Sequence, residues 1–156
     1  MLRFAVPALA ALLVAFPASA MDKPAAEGVA PVGITHVRTV SITISDHDRA
    51  LDFYVNKLGF TKLMDATFGQ GYRWIEVAPA GSQTVLVLAK GFGQADRMGK
   101  LAGIVFETAD LMATCQQLEQ RGVEFVEKPA KRPWGYQAQI KDQDGNILVL
   151  HQTVRR

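Results

Sequence analysis

Residues 36–45 are rich in Val, Ile and Thr and alternate in the manner of a half-buried strand. Residues 46–57 change period: Leu51, Tyr54 and Leu58 recur at helical spacing, Asp46 supplies a capping oxygen, and Gly59 ends the run. Three further strands are predicted at 60–66, 72–78 and 84–89, separated by glycine-containing turns at 68–71 and 79–81. The second half repeats this order. A strand at 103–108 leads to a helix at 110–121 ended by Gly122, and strands follow near 123–127, 136–141 and 147–151. Asp46 and Asp110 open the two helices, and Gly59-Phe60 and Gly122-Val123 close them in the same way, at almost the same interval. Asp142-Gln143-Asp144-Gly145-Asn146 forms a polar hairpin turn between the last two strands. The expectation is an α+β fold of two βαβββ modules, about 34–90 and 101–152, whose curved mixed sheets surround a cup-shaped pocket. Residues 91–99, rich in glycine, read as a mobile connector able to cover that pocket, and they lack the lysine and setting of a phosphate loop.

The first twenty residues obey different rules. Arg3 gives a short positive start, 4–16 is almost wholly apolar, and Ala18-Ser19-Ala20 has the form that signal peptidase accepts, so residues 1–20 read as a signal peptide. The apolar run is too short for a spanning helix and contains Pro7 and Pro17, which argues against a stable membrane anchor. Residues 21–33 read as a flexible leader to a domain at 34–152. This predicts a periplasmic or secreted protein; were Met21 the true start, the protein would be cytoplasmic. The single cysteine, Cys115, forms no internal disulfide and lies one turn from Leu111 and Leu118, as a core residue would. Of 156 residues 49% are hydrophobic, enough for one real core, and a net charge of +2 with no basic run excludes a charge-driven nucleic-acid partner.

Val40-Ser41-Ile42-Thr43-Ile44-Ser45-Asp46, then Arg49-Ala50-Leu51-Asp52-Phe53-Tyr54 and Leu58-Gly59-Phe60, resemble the first β-α unit of the vicinal oxygen chelate superfamily, the glyoxalase, bleomycin-resistance and extradiol-dioxygenase group. Gly122-Val123-Glu124-Phe125 and the 142–146 turn resemble its second half. The resemblance implies a homodimer and, in metal-dependent members, a divalent ion held by histidines and glutamates. Carried onto this chain, those ligand positions fall on Thr39, Glu76, Gly103 and Val149, of which only Glu76 is a plausible ligand. The resemblance therefore implies a metal-independent protein with no cofactor. A relocated site using Glu76, Glu107 and His151 is the weaker reading, since the last two lie near strand ends where polar residues are commonly solvated.

With no ion, the expected ligand-binding residues are Thr39, Ser41, Trp74, Glu76, Gly103, Trp134, Tyr136 and Val149. The tryptophans offer aromatic faces to a planar or cationic ligand and Tyr136 a hydroxyl, although each tryptophan also suits a core or a covering loop. Glu76 sits mid-strand and must be paired, reach water in a cavity or shift its pKa. It is a candidate anchor for a cation, a candidate general base, or a structural residue. Sequestration of a small molecule is favoured; the rivals are an enzyme with an unorthodox metal site or Glu76 as acid/base, and a dimer with no ligand.

Overall fold

The computed structural model describes residues 33–91 and 95–154. The expected signal peptide and all but the last residue of the leader lie outside them, as does part of the glycine-rich connector. The first module comprises β1 (Thr39–Thr43), α1 (His47–Leu51), a π-helical segment (Asp52–Lys57), β2 (Thr61–Phe68), β3 (Tyr72–Ala78) and β4 (Val85–Ala89). A short 3-10 turn (Ala95–Arg97) precedes the second, which comprises β5 (Leu101–Glu107), α2 (Leu111–Gln120), β6 (Glu124–Arg132), β7 (Gly135–Lys141) and β8 (Ile147–Gln152).

Each module is a four-stranded mixed sheet, ordered β1-β4-β3-β2 and β5-β8-β7-β6. In each, the first strand pairs in parallel with the last, and the remaining pairs are antiparallel. Alternation decides which face is covered. Ile42, Ile44, Ile75, Val77, Leu86 and Leu88 point from the first sheet toward the helix, where Ala50, Phe53 and Tyr54 meet them. Ala138, Ile140, Leu148 and Leu150 do the same beneath Leu111, Cys115 and Leu118 of α2, and both sets join in one cluster. Cys115 is thus a core residue, and burial raises its thiol pKa.

The helix signals act as the sequence indicates. Asp46 accepts from the backbone amides of Asp48 and Arg49, and Asp110 from that of Ala113, all at 3.0 Å. Each cap satisfies amides that the first turn of its helix leaves without a partner. Gly59 and Gly122 leave the helices at φ 78° and 69°, a conformation that costs a glycine nothing.

Two elements depart from expectation. Residues 52–57 are π-helical: the amide of Leu58 bonds the carbonyl of Phe53 at 2.9 Å. This wider turn buries both Phe53 and Tyr54, which a single α-helical stripe would separate more strongly. Strand β6 continues past the expected end at 127, through Pro129, to Arg132. It is the outer strand of its sheet and its pairing with β7 is irregular between Glu127 and Ala130, so the missing N–H of proline breaks no ladder there.

The modules are joined by the hairpin between β7 and β8. Buried Asp142 accepts from the Tyr54 hydroxyl at 2.9 Å, from the Asn146 side chain at 2.7 Å, and from the amides of Asp144 and Asn146. Asn146 also donates to the Thr43 carbonyl at 2.9 Å, and Asp144 receives the amide of Ser45 at 3.0 Å. At the helix ends, Arg121 donates to the carbonyl of Lys57. Among the described residues no helix is long and apolar enough to cross a membrane.

Candidate functional site

Each sheet has a second face that carries no helix. On the first sheet the register aligns Ser41, Val87, Glu76 and Met64 across β1, β4, β3 and β2. On the second it aligns Val105, Val149, Gln139 and Glu127 across β5, β8, β7 and β6. The two rows are counterparts in the duplication, so Glu76 corresponds to Gln139, and Val149 to Val87 rather than to Glu76. The free edges of β1 and β5 lie along a cleft of about 240 Å³ lined by Ser41, Thr43, Leu101 and Gly103, with Arg97 and Lys100 beside them.

Glu76 is 6% exposed. Its Oε1 receives the indole Nε1–H of Trp74 at 3.0 Å and faces Arg38 Nη1 at 3.5 Å. The carboxylate therefore holds the half-buried Trp74 ring in one orientation and has a cation beside it. Arg73, on the opposite face, instead forks onto Asp65 at 2.8 and 3.0 Å and reaches Asp48 at 2.8 Å. These bonds hold the Asp65 carboxyl down at about 2, chiefly through Arg73. Around Glu76, Ala78, Val85, Val87 and Ala89 are buried although they stand outside the helix-side core.

The second sheet's face is more polar. His151 Nδ1 meets Glu107 Oε2 at 2.8 Å, and Glu107 Oε1 accepts from the Thr153 amide at 2.7 Å. The imidazole contact is the main cause holding the Glu107 carboxyl below its ordinary range. His151 Nε2 is buried without a partner among the described residues and lies against Gly135, where an added Cβ would stand 2.9 Å from it and 2.3 Å from the Gln152 carbonyl oxygen. Trp134, 61% exposed, follows the end of β6, its Nε1–H directed at Gln137 Oε1 at 3.4 Å.

Of the eight expected binding residues, Thr39, Ser41, Trp74 and Glu76 share the helix-free face of the first sheet, and Val149 stands on that of the second. Gly103 has φ 69° and lies in the irregular stretch between Leu101 and Val105, so Val105 is the residue opposite Val149. Tyr136 does not join them: it alternates with Gln137 and packs against the core. The spacing on β7 puts Gln137 and Gln139 on the helix-free face instead. Sequence reasoning missed both, although the repeat that pairs Asp46 with Asp110 also pairs Glu76 with Gln139.

A divalent ion does not fit the family's ligand positions. Of Thr39, Glu76, Gly103 and Val149, only Glu76 supplies a carboxylate, already engaged by Trp74 and Arg38, and Thr39 a hydroxyl, whereas such an ion needs three or four nitrogen, sulfur or oxygen donors. Glu107 and His151 meet, but among the described residues no three His, Cys, Asp or Glu side chains converge as a metal site would require.

Known proteins carry the same pattern. The sequence profile described as Glyoxalase/Bleomycin resistance protein/Dioxygenase superfamily matches residues 33–150. The crystal structure of TnmS3, an antibiotic-binding protein from Streptomyces sp. CB03234, is 38% identical, with a TM-score of 0.72 over 80% of this chain and 100% of that one. A superfamily member from Sphaerobacter thermophilus is 35% identical, with a TM-score of 0.71 over 76% of this chain and 98% of its own. The uncharacterized protein YetH of Bacillus subtilis is 36% identical over 118 residues, 75% of this chain and 98% of that protein. The chain belongs to the Glyoxalase/Bleomycin resistance protein/Dioxygenase superfamily.

Proposed function

We propose that this chain binds a small molecule without the help of a metal ion, works as a homodimer, and is exported. The observation that carries the reading is the donor set at Thr39, Glu76, Gly103 and Val149: the fold is kept while a glycine and a valine offer no donor and the Glu76 carboxylate is engaged by Trp74 and Arg38. The likeness to TnmS3, described as an antibiotic-binding protein, supports a sequestering role. Trp74, held by Glu76, and the exposed Trp134 are the stacking surfaces for a ligand with a planar ring. Export rests on the Arg3, apolar 4–16 and Ala18-Ser19-Ala20 pattern.

The test is elemental analysis of the purified protein after incubation with nickel, zinc, manganese and ferrous iron and removal of the excess. Less than a tenth of an equivalent, on the order expected of adventitious binding, is the predicted result. Near-stoichiometric metal would overturn the reading in favour of an enzyme. In that second reading the Glu107–His151 pair, whose carboxylate orients the imidazole, supplies ligands or an acid-base group. N-terminal sequencing of the native protein should begin after Ala20.

A further inference from the structure

The polar side chains on the helix-free face of the second sheet are nearly all engaged with one another. Glu127 is bonded by Arg132, Lys141 by Glu124, and His151 by Glu107. Gln137 receives Trp134. The side chain of Gln139, in the middle of this face between Glu127 and Val149, has no hydrogen bond among the described residues. Its repeat counterpart Glu76 is by contrast committed to Trp74 and Arg38. The central position of one face is thus a paired carboxylate, and that of the other a half-buried carboxamide with no protein partner among the described residues.

Charge leads to the same contrast. The carboxylates at Glu76, Glu107, Glu124 and Glu127 each have a nitrogen partner from Arg38, His151, Lys141 and Arg132. A cationic ligand would have to compete with an existing partner, and an anionic one with an existing carboxylate. A carboxamide offers two N–H donors and a carbonyl acceptor and asks for no counter-charge.

Resting on the small-molecule reading above, the geometry points to Gln139 as a ligand-binding residue that selects an uncharged molecule carrying an amide or a hydroxy-carbonyl group beside its ring. An amide of the ligand and the Gln139 carboxamide satisfy each other by two reciprocal N–H···O bonds. Exposed Val105 and half-buried Val149, in the same row, supply the apolar surface beside them. This role differs from that of Glu76, which positions an indole and need not touch the ligand.

Three probes with one ring and three charges separate the possibilities: 2-naphthamide, 2-naphthoate and 2-naphthylmethylammonium, titrated into the full chain by calorimetry. The amide is expected to bind about tenfold more tightly than either ion, given the cost of bringing an uncompensated charge to paired groups. Gln139→Leu should weaken the amide by roughly five- to tenfold, the worth of one or two neutral hydrogen bonds, and leave the ions unchanged. Gln139→Glu should turn the preference toward the ammonium probe. Because the Gln139 side chain bonds nothing among the described residues, both variants should keep the parent's unfolding midpoint. Preference for the ammonium in the parent chain, or amide affinity indifferent to Gln139→Leu, would overturn the inference and leave small-molecule binding standing. Failure of all three probes to bind would overturn both.

Discussion

Gly135 occupies a place where a single methyl group decides stability. An alanine Cβ there would stand 2.3 Å from the Gln152 carbonyl oxygen and 2.9 Å from His151 Nε2, on a backbone at φ 145°. Gly135→Ala is expected to cost about 2 kcal/mol or more, measured as a lowered urea midpoint, because backbone oxygen yields less readily than a flexible side-chain tip. Asp65 bears on acid stability. Its folded pKa of about 2 lies below the ordinary 3.8, so the folded state binds fewer protons between those values. Its contribution is present above pH 3.8 and is lost as pH falls toward 2. Asp65→Asn should lower the thermal midpoint at pH 6 by an amount equivalent to about 1 kcal/mol and flatten its decline between pH 4 and 2; an unchanged acid limb would assign that decline to other carboxylates.

The elements show which parts of the chain announce themselves. Residues 72–78 were legible as β3 to the residue, because alternation, a preceding glycine turn and a following Pro79 all agree. Both helix starts were legible from Asp46 and Asp110. The π-helical stretch was not, since Leu51, Tyr54 and Leu58 satisfy an α-helical period, and the burial of both Phe53 and Tyr54, with the Tyr54 hydroxyl on Asp142 88 positions away, is a matter of tertiary packing. Strand β6 beyond Glu127 was hidden by Pro129, whose tolerance depends on β6 being an outer strand, a fact of topology. Within the candidate site, Glu76 stood out as an acid among apolar neighbours, whereas Gln139 carries no charge to attract notice. The π turn makes its own prediction. Tyr54→Phe removes the hydroxyl donor from buried Asp142 and is expected to cost about 1–3 kcal/mol in chemical denaturation. A loss near zero would mean that the turn serves packing alone.

For the whole molecule, the duplication supplies two helix-free faces of unlike character, one with a buried apolar patch around Glu76 and one lined by paired charges and glutamines. A ligand that spans both would meet apolar surface on one side and hydrogen-bonding groups on the other. If two subunits share that ligand, light scattering of residues 21–156 should return twice the monomer mass, and a monomer would remove the shared-site arrangement. The hairpin at 142–146 has a further consequence. It reaches into the first module at Thr43, Ser45 and Tyr54, so the halves are fastened by side chains and do not depend on the peptide between them. A backbone cut engineered after Gly91 should therefore leave two fragments that travel together through a sizing column, and fragments that elute apart would show that the hairpin and the shared core do not suffice. The gene could be divided there, each half made by itself, and the protein reconstituted by mixing.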